Sequence, residues 1–129
     1  LDTNICIYII KKKPIKVLTK LRRINPDDVC ISSITLSELE YGVQKSSLPE
    51  RNKLALTEFL IPIKILNYDE LAANEYGKIR SYLERSGNII GSMDMLIAAH
   101  ALSRRLILIT NNEKEFQRIE NLKILNWSK

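Results

Sequence analysis

The stretch GSMDMLIAAHALSRRLILITNN, residues 91–112, changes periodicity within a few residues, and that change decides the fold. Residues 93–104 carry the apolar spacing of a helix, whereas LILIT, 106–110, is a short continuous apolar run closed by cap residues, as a buried strand is. Comparable runs stand at VCIS (29–32), IKIL (63–66) and LKIL (122–125), and Leu1 reads as the end of another. Helix-period segments lie between them at 4–24 with a break at Pro14, 35–45, 49–60, 69–85, 93–104 and 113–118. This largely alternating order predicts an α/β fold: a mainly parallel central sheet with helices on both faces, a three-layer α/β/α sandwich with right-handed crossovers. In such sheets ligands gather beyond the carboxyl ends of the strands.

The 129 residues suit one domain, 1–129, without repeat or linker. The chain opens on Leu1 and Asp2 with no initiator Met, so a strand ahead of Leu1 is expected to have been trimmed. Hydrophobic content of 45% and charged content of 27% are those of a soluble domain, and no apolar run is long enough to span a membrane. Cys6 and Cys30 lack metal-site or disulfide spacing and read as buried hydrophobes in a reducing, cytoplasmic setting. The net charge of +5 is uneven, because KKKPIKVLTKLRR, 11–23, holds seven cations and no acid. Such a run is either a solvated helix face or a dock for a polyanion.

Four acidic corners matter more. Asp2 stands where an apolar residue gives way to a helix, and a helix cap alone explains it. Glu38 closes Thr35-x-x-Glu38, which fits a capping box, and Glu40 points well away from it at about 100° per residue. Asp94 shares a helical face with Ile97, Ala98, Ala101 and Leu102. Ser92 as N-cap and the helix dipole offset its burial by only ~0.3 to 1 kcal/mol, against several kcal/mol for an unpaired buried acid. Asn112 and Glu115 form the last corner and look like a cap pair. On a parallel sheet these corners share one rim. Acids brought together there would repel and take up protons unless a hard divalent cation, Mg²⁺ or Mn²⁺, lay among them.

The segments LDTNICIY, SSITLSELEYG, IIGSMDMLIAAHAL and LITNNEKEFQRIENLKILNW together resemble the PIN-domain ribonucleases, in particular VapC-type toxins of bacterial toxin–antitoxin pairs. The likeness covers nearly the whole chain in order. It implies a PIN-like sandwich, a metal-dependent endoribonuclease and a VapB-type antitoxin that binds the toxin, the pair reaching operator DNA through the antitoxin. Carried over residue by residue, Asp2, Glu38 and Asp94 match the family's acids and would hold the metal. Asn112 departs from the pattern, where an Asp is commonest, so either Glu115 supplies the missing charge or Asn112 binds a water on the metal. Thr3, Asn4 and Thr110 would be supporting residues that orient carboxylates or waters.

The expected reaction is hydrolysis of phosphodiester bonds in structured RNA, tRNA being the class the likeness suggests, with Lys11, Lys12, Lys13, Lys16 and Lys20 along the backbone of the substrate. Lone His100 lies about 120° from Asp94 on the helix and reads as structural. Ile5, Ile7, Tyr8 and Ile15 read as receptors for the antitoxin or as core or homodimer contacts. An aspartyl phosphatase would want a second Asp where Asn4 stands. A noncatalytic PIN-fold domain that binds RNA or protein is the alternative.

Overall fold

A computed structural model describes residues 1–129. Helix α1 (Thr3–Lys11) is capped by Asp2 and ends at Lys12 in the left-handed region; α2 (Ile15–Arg22) starts behind Pro14. Strand β1 (Cys30–Ser32) leads into α3 (Ser33–Gln44), and α4 (Pro49–Leu60), with Pro49 at its first position, leads to β2 (Lys64–Leu66). Next come α5 (Glu70–Ser86), α6 (Ser92–Ser103), β3 (Leu108–Ile109), α7 (Glu113–Phe116) and β4 (Ile124–Leu125). The strands are two to three residues long, shorter than the apolar runs that announce them, although Val29, Thr110 and Lys123 beside them still bond across the pairs.

The strands pair in parallel as β1 with β2 and β3 with β4. Residues 1 and 2 join the two pairs: the Leu1 amino group donates to the Cys30 carbonyl at 2.9 Å and the Asp2 N–H to the Ile109 carbonyl at 2.9 Å. The spatial order is therefore β2, β1, residues 1–2, β3, β4. It runs outward in opposite directions from the chain's first residues, the kind of switch point at which α/β sheets bind ligands. An apolar cleft of about 440 Å³ lies beside Leu1 between β1 and β3, floored by Ile97, His100 and Trp127.

Helices cover both faces because successive strand residues point opposite ways. Leu108 joins a cluster with Ile79 and Leu83 of α5, Met95, Ile97, Ala98 and Ala99 of α6, and Phe116. Ile109 instead packs with Ile5, Val17 and Trp127 under α1 and α2, and Ile31 of β1 with Cys6, Leu39 and Leu56. The three-layer arrangement follows. Helix α5 is capped at both ends, by Asp69 accepting from the Ala72 N–H at 3.0 Å and by Gly87 at φ 72°, where a side chain would be strained. Its partner α6 is apolar on almost every side and buries Met95, Ile97, Ala98, Ala99 and His100. No helix is long and apolar enough to cross a membrane. Both cysteines are free; Cys6 is fully buried and its thiol is pushed up to about 12, chiefly by that burial.

The packing of α5 on α6 sets a stability test. Leu83 is 1% exposed and Leu71, on the same helix, 61%. Leu83→Ala should lower the unfolding free energy by about 2–5 kcal/mol in urea titrations, and Leu71→Ala by no more than about 0.5 kcal/mol. Equal losses would contradict this placement of the core.

Candidate metal and nuclease centre

Asp2 is the cap of α1 and the most deeply buried of the candidate acids. Its Oδ1 accepts from the Ile5 N–H at 2.9 Å, its backbone bonds Ile109, and the Thr110 hydroxyl donates to its carboxylate. At 5% exposure its carboxyl titrates above the ordinary range. Burial is the main cause, and the bonds from Thr110 and Ile5 oppose it. Glu38 sits in the sixth position of α3, where the Thr3 hydroxyl donates to its Oε1 at 2.5 Å. Thr3 and Thr110 thus each hold one acid.

The capping box expected at Thr35 and Glu38 does not form. The cap lies three residues earlier: Ser32 caps the helix, its Oγ accepting from the Ile34 N–H at 3.0 Å. Thr35 then lies inside the first turn, fully buried, with its hydroxyl unpartnered. Glu40 turns outward to Lys53 at 2.7 Å and leaves Glu38 alone on the inner side. Ser32 also meets His100 Nδ1 at 2.7 Å, which ties α6 to the start of α3. His100 is buried, stacks edgewise on Tyr68 and has its pKa lowered, first by burial and then by Arg104, so it is a neutral structural group.

Asp94 is the third residue of α6 and half-buried. Gly91, not Ser92, occupies the cap position and offers no side chain, so the expected Ser92 cap is absent. The helix also follows α5 through a loop rather than a strand, so this acid reaches the rim from the side. Its pKa is raised to about 6, first by desolvation and then by the charges of Glu115, Glu38 and Asp2. A hydrogen bond from the protonated Asp94 carboxyl to Glu115 raises it further. Asn112 does take the N-cap position of α7, but its side chain caps nothing. Its Nδ2 donates to Glu115 Oε2 at 3.1 Å, while its own N–H bonds the Thr110 hydroxyl at 2.9 Å.

Asp2, Glu38, Asp94 and Glu115 are therefore brought into one electrostatic cluster from four elements. As placed, no three acidic, imidazole or thiol side chains stand at the spacing of a finished coordination shell. The donor set still fits a hard divalent cation: it offers carboxylate oxygens only, with an acid held near 6 that a positive charge would return to its ionised form. Asn112 reaches the cluster through Glu115.

Other expectations fare differently. Asn4 touches no carboxylate; its exposed Nδ2 reaches Asn111 Oδ1 at 3.5 Å, and Asn111 Nδ2 donates to the Tyr8 hydroxyl at 2.8 Å. Asn111 and the Tyr8 hydroxyl escape a reading by acids alone, although the doubled Asn after a strand was a visible signal. Lys11, Lys12, Lys13 and Lys16 are exposed and Lys20 is half-buried, none in an ion pair, and they lie at the far end of α1 and along α2. Ile5 is a fully buried core residue and cannot receive a partner, Ile7 and Tyr8 are half-buried, and only Ile15 is open, at 63%.

The chain matches the PIN domain over residues 1–122. It is 48% identical, over 99% of its length and 96% of the relative's, to the tRNA(fMet)-specific endonuclease VapC of Shigella flexneri. Among solved structures it superposes on the DNA-bound VapBC of Salmonella typhimurium with a TM-score of 0.93 at 46% identity, covering 98% of this chain and 96% of the other. On VapBC2 of Rickettsia felis, bound to a promoter fragment, the TM-score is 0.92 at 43% identity, with the same coverage. The chain thus belongs to the PIN-domain family, within its VapC ribonucleases.

Proposed function

We propose that this chain is the toxin of a toxin–antitoxin pair, a Mg²⁺- or Mn²⁺-dependent endoribonuclease that hydrolyses structured RNA and is neutralised by a VapB-type antitoxin. The observation that carries the reading is the carboxylate cluster in which Asp94 is held at about 6 by burial and three neighbouring acids. Folding alone gains nothing from such a cluster. Transfer RNA is the favoured substrate, since a relative 48% identical over nearly its full length is named for that activity. The antitoxin, and operator DNA reached through it, follow from the VapBC complexes this chain resembles at 43–46% identity. A homodimer and a cytoplasmic location belong to the same reading.

Asp2, Glu38 and Asp94 would hold the cation, with Glu115 completing the charge and Asn112 fixing Glu115. A cation held there would supply Lewis acidity toward the phosphoryl group, the attacking water and the leaving 3′-oxygen. Thr3 and Thr110 aim Glu38 and Asp2 through their hydroxyl groups. The chain offers no imidazole base at the cluster, because His100 is engaged with Ser32. The products are a 5′-phosphate and a 3′-hydroxyl. The unpaired cations from Lys11 to Lys20 would meet phosphates away from the cut, which makes affinity fall as salt rises. Ile15 is the residue left to receive the antitoxin on α2.

Purified, antitoxin-free protein with Mg²⁺ or Mn²⁺ should cut total bacterial RNA into discrete fragments with 5′-phosphate ends. EDTA and Asp94→Asn should each abolish cutting. Fragments ending in 2′,3′-cyclic phosphate would overturn the mechanism, and retention of RNA without cutting would favour a noncatalytic binder.

The acid cluster also sets the pH dependence of metal-free stability. The folded pKa of Asp94, about 6, lies above its ordinary 3.8. Between those values the folded state binds more protons than the unfolded, so this group's contribution falls as pH rises from about 4 to 6. In EDTA at pH 7, Asp94→Asn should therefore raise stability by roughly 1 to 2 kcal/mol, less than the full linkage value because the group is partly exposed. At pH 4 the gain should vanish. Denaturant titrations at the two pH values test this; a gain that is the same at both would sink it.

A further inference from the structure

Helix α1 carries a polar stripe that the acid cluster does not use. Asn4, Tyr8 and Lys11 or Lys12 recur at the spacing of one helix face. They run from the acids at the N-terminus of α1 to the basic turn at its other end, about 11 Å along the axis. Asn4 directly follows Thr3, which holds Glu38, and Asn111 directly follows Thr110, which holds Asp2. The two amides meet on the rim of the cluster.

Their hydrogen bonds fix one amide and leave the other free. Asn111 gives its Nδ2 to the Tyr8 hydroxyl at 2.8 Å, which turns its Oδ1 toward Asn4. Asn4 answers only with a long bond of 3.5 Å and is exposed. It keeps an acceptor oxygen and one N–H unsatisfied, and it caps nothing, because Asp2 caps α1. A carboxamide with donor and acceptor side by side is the group that pairs with a base edge, and sequence in RNA is read on unpaired, splayed-out bases. The cations at the other end of the stripe would hold the phosphates that follow.

We propose that Asn4, oriented by Asn111 and Tyr8, bonds the edge of the unpaired base beside the scissile phosphate and sets the base preference of cleavage. This rests on the nuclease reading and deepens it. Asn111 and Tyr8 are positioning residues; Asn4 is the one that touches RNA.

The test uses hairpin RNAs with randomised loops, cut by the wild type, Asn4→Ala, Asn111→Ala and Tyr8→Phe, with unfolding curves to confirm that each variant is folded. The wild type should show a base preference at one position beside the cut. Asn4→Ala should flatten it and lower kcat/KM on preferred loops roughly 5- to 100-fold, through KM, while poor loops are little affected. Tyr8→Phe, which removes one oxygen, should flatten it in part. An unchanged preference in folded Asn4→Ala, or an equal fall in kcat on all loops, would overturn the assignment. Selection of bound loops by Asp94→Asn, with and without Asn4→Ala, separates the two readings. If the wild type cuts nothing but Asn4→Ala still erases the enrichment, recognition by Asn4 stands and the nuclease reading falls. Enrichment that ignores Asn4 removes the proposal.

Discussion

The structure turns on the bonds made by Asp2. Its N–H reaches Ile109 beside β4, its Oδ1 starts α1, and Thr110 binds its carboxylate, while Leu1 beside it reaches β1. Asp2 therefore ties one half of the sheet, caps the first helix and presents an acid, while Leu1 ties the other half. A cap is worth about 1 kcal/mol, which is small for a domain. The geometric consequence is larger, since the other acids are placed relative to this one through Thr3 on the same helix and Thr110 at the end of the adjoining strand.

Packing and electrostatics pull in opposite directions at the rim. The apolar helix α6 is held against α5 by Ile97, Ala98 and Ala99 and against α3 by the bond from His100 to Ser32. That rigidity drives Asp94 toward Glu115, Glu38 and Asp2 although the charges disfavour it. The favourable burial of α6 supports an unfavourable cluster, the usual relation between a core and a site whose groups have displaced pKa values. A buried histidine far from the chemistry contributes by holding two acid-bearing helices together.

Much of this was legible in the residues. The switch from helical spacing to LILIT announced the alternating order, and the break at Pro14 and the turn before Pro49 fell where α2 and α4 begin. Glu40 pointing away from Glu38 followed from helix geometry alone. Caps were less legible, because Ser32, Ser33 and Thr35 are chemically interchangeable as caps and only the pairing of β1 decides which residue ends the strand. Ser92 failed for a related reason: the chain enters α6 from a loop, and Gly91 takes the cap position. Hydrophobic spacing marked Ile5 as apolar but could not tell a receptor surface from a core, which depends on what covers α1. The amide pair joins residues 4 and 111, a contact no local pattern encodes.

The place of residues 1 and 2 between β1 and β3 has a consequence for synthesis. Ribosomes deliver a chain from its N-terminus, and contacts far apart in sequence form late and slowly. The bond from Asp2 to Ile109, the hydroxyl of Thr110 and the pairing of Asp94 with Glu115 all await the last part of the chain. A nascent chain that has displayed Asp2, Glu38 and even Asp94 still lacks the strand that brings them together. The four acids can therefore come together only after residues 109–115 have been made, however early the first of them is synthesised.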